Sequence, residues 1–189
     1  MPRPVDHDHQ RRELLERSFS LFAERGYGGV SMRGLARELG VSTGTLYHYF
    51  EGKPDIFGQM LGMLAERDIA EVTDALEGQH SLSVRLERLG AWLEARADYA
   101  SRLLLLALDA WQVAPDDRDA LARTARTYRD ALADRLQLPS PALGSLFFSL
   151  VLGALAHRVL DPESGALGPQ VDALRALTTA LGGSTTLVR

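Results

Sequence analysis

Hydroxyl and aromatic side chains crowd one short stretch of the sequence, between residues 42 and 49. Its members are Ser42, Thr43, Gly44, Thr45, Tyr47, His48 and Tyr49. Hydroxyls and backbone N–H groups at the start of a helix bind phosphate well. Tyr47 and Thr43 have the chemistry to touch base edges, including thymine methyl groups. The pattern therefore indicates a surface for nucleic acid, with Gly44 letting the backbone come close and Lys53 placed to bind phosphate.

Positioning these side chains requires two short helices that cross around a tight turn. Such a pair needs a small residue where the helices meet, a glycine at the turn four residues later and an apolar plug six residues further on. Ala36, Gly40 and Leu46 meet these three needs. Taken alone, the spacing also fits any pair of short helices in an all-α core. The polar residues between 42 and 49 favour a DNA-binding helix-turn-helix.

The charge of the chain is divided unevenly between its two parts. The net charge is -4, with a balance of +1 in residues 1–53 and -5 in residues 54–189. Only the N-terminal part can present a surface to phosphate, and the placement of its charges matters more than their sum. The chain has no cysteine, which excludes thiolate nucleophiles, thiolate metal ligands and disulfides.

Sequence signals for catalysis, cofactors and membranes are absent. We find no Ser/His/Asp set, paired carboxylates or glycine-rich phosphate loop, and we expect neither an enzyme nor a cofactor. The tract His7-Asp8-His9 lacks further ligands nearby, so we expect no metal there. No apolar stretch near the start is typical of a signal sequence, and the run Leu103 to Leu108 is too short to span a bilayer. We therefore expect a soluble, cytoplasmic and nucleoid-associated protein with no membrane partner.

Apolar residues recur at helical spacing along the chain, which predicts an all-α fold of about nine helices. The first helix is predicted from about residue 10 to 24, and two short helices follow, capped by Ser31 and Ser42. A helix from Pro54 to Leu76 would be about 36 Å long, enough to join two domains. Further helices are predicted at about 82–98, 99–113, 117–137, 141–160 and 169–182.

The segment from residue 21 to residue 57 resembles the N-terminal domain of the TetR/AcrR family of repressors. It reads LFAERGYGGVSMRGLARELGVSTGTLYHYFEGKPDIF, and the run GVSTGTLYHYF with the lysine that follows is its most specific part. The resemblance covers about residues 10–60. It implies a three-helix DNA-binding domain at 9–69, with the motif at about 32–51. A helical bundle for ligand binding and dimerisation would follow at 70–189.

The resemblance also implies roles for single residues on DNA. Contacts to the backbone or the major groove would come from Ser31, Arg33, Ser42, Thr43, Gly44, Thr45, Tyr47, His48, Tyr49 and Lys53. Arg33 and Tyr47 would be the two best placed to reach a base. Two alternatives stay open: His48 as a plain exposed helix residue, and Tyr49 packing its ring against the fourth helix. Pro54 departs from the family pattern but suits a helix start.

The last two helices would form the dimer interface that the resemblance implies. Its expected residues are Leu143, Phe147, Leu150, Val151, Ala154, His157, Leu174, Leu177 and Leu181. The apolar surface of the helix at 141–160, which also includes Leu146, is wider than one amphipathic stripe requires. Gly144 and Gly153 would permit close helix approach. An ordinary core helix is the alternative.

A ligand pocket in the C-terminal domain would be mostly apolar with a few polar groups. Its candidates are Met60, Leu64, Trp92, Tyr99, Arg102, Leu106, Trp111 and Tyr128. Arg102 would need an anionic partner if it were buried, and the simpler alternative is a solvated residue or a pair with Asp98.

The sequence thus predicts a homodimeric regulator that binds a palindromic operator on double-stranded DNA. Two recognition helices about 34–36 Å apart would read paired half-sites. A small, largely apolar effector would release a repressor of this kind from its operator. Two alternatives are a DNA-binding regulator controlled by a protein partner, and an all-α enzyme whose short helices only mimic the motif.

Overall fold

The computed structural model describes residues 7–163 and 165–183, with side chains described up to residue 174 and at residue 176. These residues form nine α-helices, one 3-10 turn and no strand. In chain order they are α1 (His7–Arg25), α2 (Met32–Leu39), α3 (Thr43–Tyr49), α4 (Lys53–Leu76), α5 (Leu82–Ala95), α6 (Ala97–Val113), the 3-10 turn (Pro115–Asp117), α7 (Arg118–Arg135), α8 (Pro141–Leu160) and α9 (Leu167–Gly183). The predicted all-α fold is confirmed.

Helix ends follow the local sequence signals. Gly26 and Gly40 adopt φ of +71° and +72°, a backbone region that glycine enters without steric cost, and they follow α1 and α2. Ser31 and Ser42 cap α2 and α3, as predicted. The break between α5 and α6 lies at Arg96, two residues before the predicted position.

The chain forms two compact units. Of the residues that the structure describes, the first unit contains 7–66 together with 105–125, and the second contains 67–104, 126–163 and 165–183. Sequence reasoning had assigned residues 105–125 to the C-terminal domain. Three helices, α4, α6 and α7, therefore each contribute residues to both units.

The first unit is built on an aromatic cluster that joins α1, the loop after it and α4. The Phe22 ring stacks on Tyr27 with centroids 5.8 Å apart, and Phe57 meets both rings edge-on at 5.5 Å and 4.8 Å. All three side chains are buried. Burial of a large apolar side chain stabilises a fold by about 1.5–3 kcal/mol, so this cluster anchors α4 to α1 and to the loop that follows it.

The second unit has two apolar clusters. One contains Val72, Leu76, Leu86, Leu89, Leu136 and Phe147, and the other contains Leu93, Ala97, Leu155 and Leu167. Trp92 packs against both clusters. A side chain at Gly90 would lie 2.6 Å from a methyl of Val171, so this glycine allows α5 and α9 to approach closely.

Helix α8 is apolar around most of its circumference. By length and composition it could cross a membrane, with a mean hydropathy of 1.7 over its most apolar window, of which 17% is buried. Sequence reasoning had judged only the run at 103–108 and missed this helix. Its inner face packs in the second unit through Gly144, Phe147 and Leu155.

Candidate nucleic-acid interface

The turn between α2 and α3 is fixed by backbone hydrogen bonds and side-chain caps. The Ser31 hydroxyl accepts from the Gly34 N–H at 3.1 Å. The Gly40 N–H donates to carbonyls of the last turn of α2, and the Val41 N–H donates to the Ala36 carbonyl at 3.0 Å. Short helices are marginal in isolation, so these bonds and their packing hold the pair together.

The apolar side of the motif is buried as its spacing predicts. Ala36 and Phe50 are each 3% exposed, and Leu46 is fully buried. Leu35 and Leu39 complete this side from α2. Because these residues face inward, the intervening polar residues of α3 must face outward.

The outward side of α3 carries the polar residues that the sequence singled out. Tyr47 is 56% exposed, and Ser42, Gly44 and His48 are also exposed. The Ser42 hydroxyl accepts from the Thr45 N–H at 2.9 Å and lies 2.8 Å from the Thr45 hydroxyl. Ser42 therefore both caps the helix and presents a hydroxyl beside it.

Tyr49 is tied to α1. Its hydroxyl donates to Gln10 Oε1 at 2.7 Å and lies 3.1 Å from His7 Nδ1. Its ring lies 5.9 Å from that of His7 and 5.1 Å from that of His48. The ring thus packs beside the start of α1, where the sequence alternative had named the fourth helix.

Arginines gather beside the first turn of α2. A cleft of about 200 Å³ there is lined by residues that include Arg25, Arg33 and Arg37. Glu38 accepts from Arg25 at 3.0 Å and from Arg37 at 3.3 Å, and these bonds hold the pKa of Glu38 below its usual range. Arg25 and Arg37 add positive charge beside the predicted Arg33. The i, i+4 spacing of Arg33 and Arg37 on α2 was the available sequence signal.

Lys53 turns inward in this structure. Its Nζ donates to the Tyr27 carbonyl at 3.1 Å and lies 4.1 Å from the centre of the Tyr27 ring. Burial lowers the pKa of Lys53, and Asp117 and Asp109 oppose that shift. The predicted phosphate ligand is thus held by groups of its own unit.

The predicted ligand residues divide between the two units. Met60, Leu64 and Leu106 are buried and Trp111 is half-exposed, all in the first unit. Trp92, Tyr99, Arg102 and Tyr128 belong to the second unit. Arg102 is exposed, and Asp98, its suggested partner, pairs with Arg158 at 2.9 Å. The role of these eight residues in ligand binding stays a prediction.

A buried carboxylate in the second unit escaped the sequence analysis. Asp68 is 3% exposed, and its Oδ2 accepts from the hydroxyls of Tyr99 and Tyr128, each at 2.8 Å. Arg67 donates to its Oδ1 at 3.0 Å. Burial, and then the charge of Asp68, raise the pKa of both tyrosines. Nothing near Asp68 in the sequence marks it, because its tyrosine partners lie 31 and 60 residues away.

The predicted dimer residues lie on two faces of α8. Phe147, Val151 and Ala154 pack into the clusters of the second unit, as does Leu174 of α9. Leu143 is half-buried. Leu150 and His157 are exposed, and His157 Nδ1 lies 3.1 Å from Gln170 Nε2. Leu177 and Leu181 lie outside the residues whose side chains are described.

The capped turn, the buried inner side and the exposed polar outer side of α3 define the class of helix-turn-helix DNA-binding proteins. Residues 14–60 match the family model described as bacterial regulatory proteins, tetR family. The likeness to this family model is thus carried by the helices that build the DNA-binding motif.

The relatives align with the chain over regions of different length. The HTH-type transcriptional regulator PksA of Bacillus subtilis is 33% identical over 93 residues, which cover 46% of this chain and 45% of PksA. The chain thus spans less than half the length of that relative. The HTH-type transcriptional repressor Rv1474c of Mycobacterium tuberculosis is 29% identical over 86% of this chain and 90% of its own length.

Solved structures share the fold at low sequence identity. The transcriptional regulator FadR from Bacillus subtilis, solved in complex with stearoyl-CoA, superposes with a TM-score of 0.73. It is 16% identical, and the match covers 88% of this chain and 96% of FadR. The likeness therefore extends to the helices behind the DNA-binding motif.

Proposed function

We propose that the chain is a homodimeric transcription repressor, released from a palindromic operator by a small, largely apolar effector. The observation that carries the proposal is the outer side of α3, where polar and aromatic groups stand exposed on a buried, capped helix. The repressor name of the relative Rv1474c supports the direction of regulation. A protein with this task acts where the chromosome lies, which corresponds to a cytoplasmic, nucleoid-associated location.

The proposed DNA contacts come from α2 and α3. They are Ser31, Arg33, Ser42, Thr43, Gly44, Thr45, Tyr47, His48 and Tyr49. Arg33 is exposed at the first turn of α2, where backbone N–H groups favour an anion. Tyr47 is a large, exposed side chain of α3 and is our candidate for a base contact.

Selection of DNA from a random-sequence pool by the pure protein tests this assignment. The expected product is a duplex with inverted repeats whose centres lie about 34–36 Å apart, or a multiple of one turn. Footprinting of that duplex at moderate salt should show protection of both half-sites. Recovery of no preferred sequence would count against the proposal.

Dimerisation is supported by the outer face of α8. Leu146, Leu150 and Leu160 are 52%, 45% and 84% exposed. They lie on one helical face with His157 and Gly153. Outside the backbone of α8 itself, nothing in the described part of the chain lies within 4 Å of a Cβ built at Gly153. Soluble proteins rarely leave an apolar stripe of this length open to water. A second copy of α8 related by a twofold axis would cover it, and Gly153 would allow close approach.

An effector site is supported by unpaired polar atoms in the second unit. Trp92 Nε1 and Ser101 Oγ are buried and have no hydrogen-bond partner among the described residues. A buried donor without a partner is costly, and a ligand acceptor would relieve that cost. Trp92 sits between the two apolar clusters of the unit. These features favour an apolar ligand with a hydrogen-bond acceptor, and they fit the acyl ligand in the related FadR structure.

A thermal-shift screen separates the effector from the alternative of a protein partner. Acyl compounds of graded chain length should raise the melting temperature and release the selected duplex. If none of them did so while a second protein displaced the DNA, control by a protein partner would be favoured. No single observation in the structure supports that alternative at present.

A further inference from the structure

Lys53 is the only lysine in the sequence, and its ammonium group contacts Tyr27 within the first unit. Its Nζ has the Tyr27 carbonyl at 3.1 Å and the Tyr27 ring at 4.1 Å. Its side chain is half-buried. The ammonium group therefore has partners on the protein side, although it lies at the start of α4, close in sequence to the recognition helix.

Tyr27 joins Lys53 to two carboxylates of the segment 105–125. The Tyr27 N–H donates to Asp109 Oδ2 at 2.7 Å. Burial, and then Asp117, raise the pKa of the Tyr27 hydroxyl, and Asp117 is itself only 6% exposed. Asp109 belongs to α6 and Asp117 to the 3-10 turn, and both lie in the first unit with Tyr27 and Lys53. Tyr27 thus receives Lys53 at its carbonyl and ring and bonds to Asp109 through its N–H.

The loop before α2 is shaped to receive Asp109. Gly26 has φ +71°, and a side chain built there would lie 2.9 Å from Asp109 Oδ2. The carboxylate therefore occupies the space that the missing side chain leaves. Asp117 is also buried, and burial of a carboxylate favours a nearby cation. The charges of Asp117 and Asp109 both favour the charged form of Lys53 and oppose the lowering of its pKa by burial.

We propose that Lys53 is a positioning residue, which holds the loop at Tyr27 and the start of α4 to Asp109 and Asp117 and does not bind operator phosphate. This inference rests on the proposed DNA-binding function. The cluster fixes both ends of the α2–α3 pair, because Tyr27 precedes α2 and Lys53 follows α3.

The salt dependence of DNA binding separates a positioning residue from a phosphate ligand. Each phosphate contact by a cation contributes about 0.9 to the slope of log K against log salt, or about two units for a dimer. The probe is the duplex that the wild-type protein selects from a random pool. We expect Lys53→Gln to weaken binding about tenfold at fixed salt while it leaves the slope unchanged. Arg33→Gln should lower the slope by about two units per dimer.

A charge-conserving variant removes the long-range effect of the lost charge. Lys53→Gln combined with Asp117→Asn has the net charge of the wild type, and its slope should equal that of the wild type. This double variant carries the slope comparison if Lys53→Gln alone does not fold. A slope lower by about two units in either variant would overturn the inference, and so would unchanged affinity in Lys53→Gln.

Urea unfolding of the same variants tests the cluster without DNA. The effects of Lys53→Gln and Asp117→Asn should be coupled about tenfold or more in the unfolding equilibrium constant, because the two charges compensate each other. Asp119→Asn, an exposed carboxylate on α7, is the matched control and should show no coupling with Lys53→Gln. Additive effects of Lys53→Gln and Asp117→Asn would overturn the inference. If the wild type selects no duplex, the proposed DNA-binding function fails. The coupling measured by urea unfolding would still test whether Lys53 and Asp117 belong to one cluster.

Discussion

Tyr47 offers the clearest single-residue test of the DNA surface. It is 56% exposed on α3, and the core of the motif does not depend on its ring. We predict that Tyr47→Phe weakens binding to the selected duplex about 30-fold, because one hydrogen bond of about 1 kcal/mol is lost in each subunit of the dimer. The melting temperature and the salt slope should not change, since neither packing nor charge is altered. Unchanged affinity would remove Tyr47 from the interface.

The network at Asp68 predicts a pH dependence of stability. Burial and the charge of Asp68 raise the pKa of Tyr128 in the folded state. Above about pH 10 a tyrosine ionises in the unfolded chain while Tyr128 in the fold stays neutral. The unfolded state is then favoured, so stability should fall as the pH rises beyond 10, by up to about 1.4 kcal/mol per pH unit for this group.

Tyr128→Phe should therefore have opposite effects at the two ends of the range. At pH 7 the variant should be about 1 kcal/mol less stable, because the bond to Asp68 is lost. Above pH 10 its stability should decline less steeply than that of the wild type. Urea unfolding at intervals from pH 7 to 11 measures both effects, with Tyr47→Phe as the exposed control. Parallel curves for Tyr128→Phe and the wild type would contradict the assignment.

Single residues were predictable where their partners are close in sequence. Ser31 and Ser42 were identified as caps because a cap bonds to a backbone group three residues later. The acids Asp68 and Asp109 were not identified, since their partners lie between 31 and 82 residues away. A periodic pattern in the sequence does not reveal contacts between distant residues. The inward position of Lys53 was therefore not predicted either.

At the scale of elements, α3 depends on its cap because it has only seven residues. We predict that Ser42→Ala lowers the stability of the protein by about 1 kcal/mol in urea unfolding. Ser81→Ala is the matched control, since Ser81 also precedes a helix but makes no side-chain cap bond. Its effect should be clearly smaller, and equal losses would show that the Ser42 cap has no special value.

Ser42→Asp separates the cap from the contact with DNA. Aspartate is as good a cap as serine, so stability in urea should be retained. The new negative charge would face phosphate. Affinity for the selected duplex should therefore fall about tenfold or more at low salt. Retained affinity would place Ser42 away from the DNA backbone.

The ends of helices were predicted well where proline or glycine separates them, and less well where neither residue is present. Proline and glycine marked the ends of α7 and α8, whereas the break at Arg96 has neither and was placed two residues late. Helix α8 shows a second limit. Because it is apolar on both sides, its sequence could not separate the face that packs on Phe147 from the face that exposes Leu150.

At the scale of the whole molecule, the compact units do not follow the order of the chain. Residues 105–125 join the first unit, although they begin within α6 and follow α5 in the sequence. The contacts responsible are Asp109 with Tyr27 and the closeness of Gly58 to Ala120, whose Cβ lies 3.6 Å from a side chain built at the glycine. Long-range contacts of this kind are set by tertiary packing, which local patterns do not encode.

The outer face of α8 decides whether the molecule works as a dimer. We predict that Leu150→Arg yields a monomer in sedimentation analysis, because a charge would be buried at the centre of the apolar stripe. Affinity for the two-half-site duplex should fall on the order of 100-fold, while affinity for a single half-site should not change. Leu108→Arg alters a leucine of similar exposure on α6 and should remain dimeric. A dimeric Leu150→Arg protein would show that α8 does not form the interface, and a monomer that retained full affinity for the duplex would show that operator binding does not require the twofold pair.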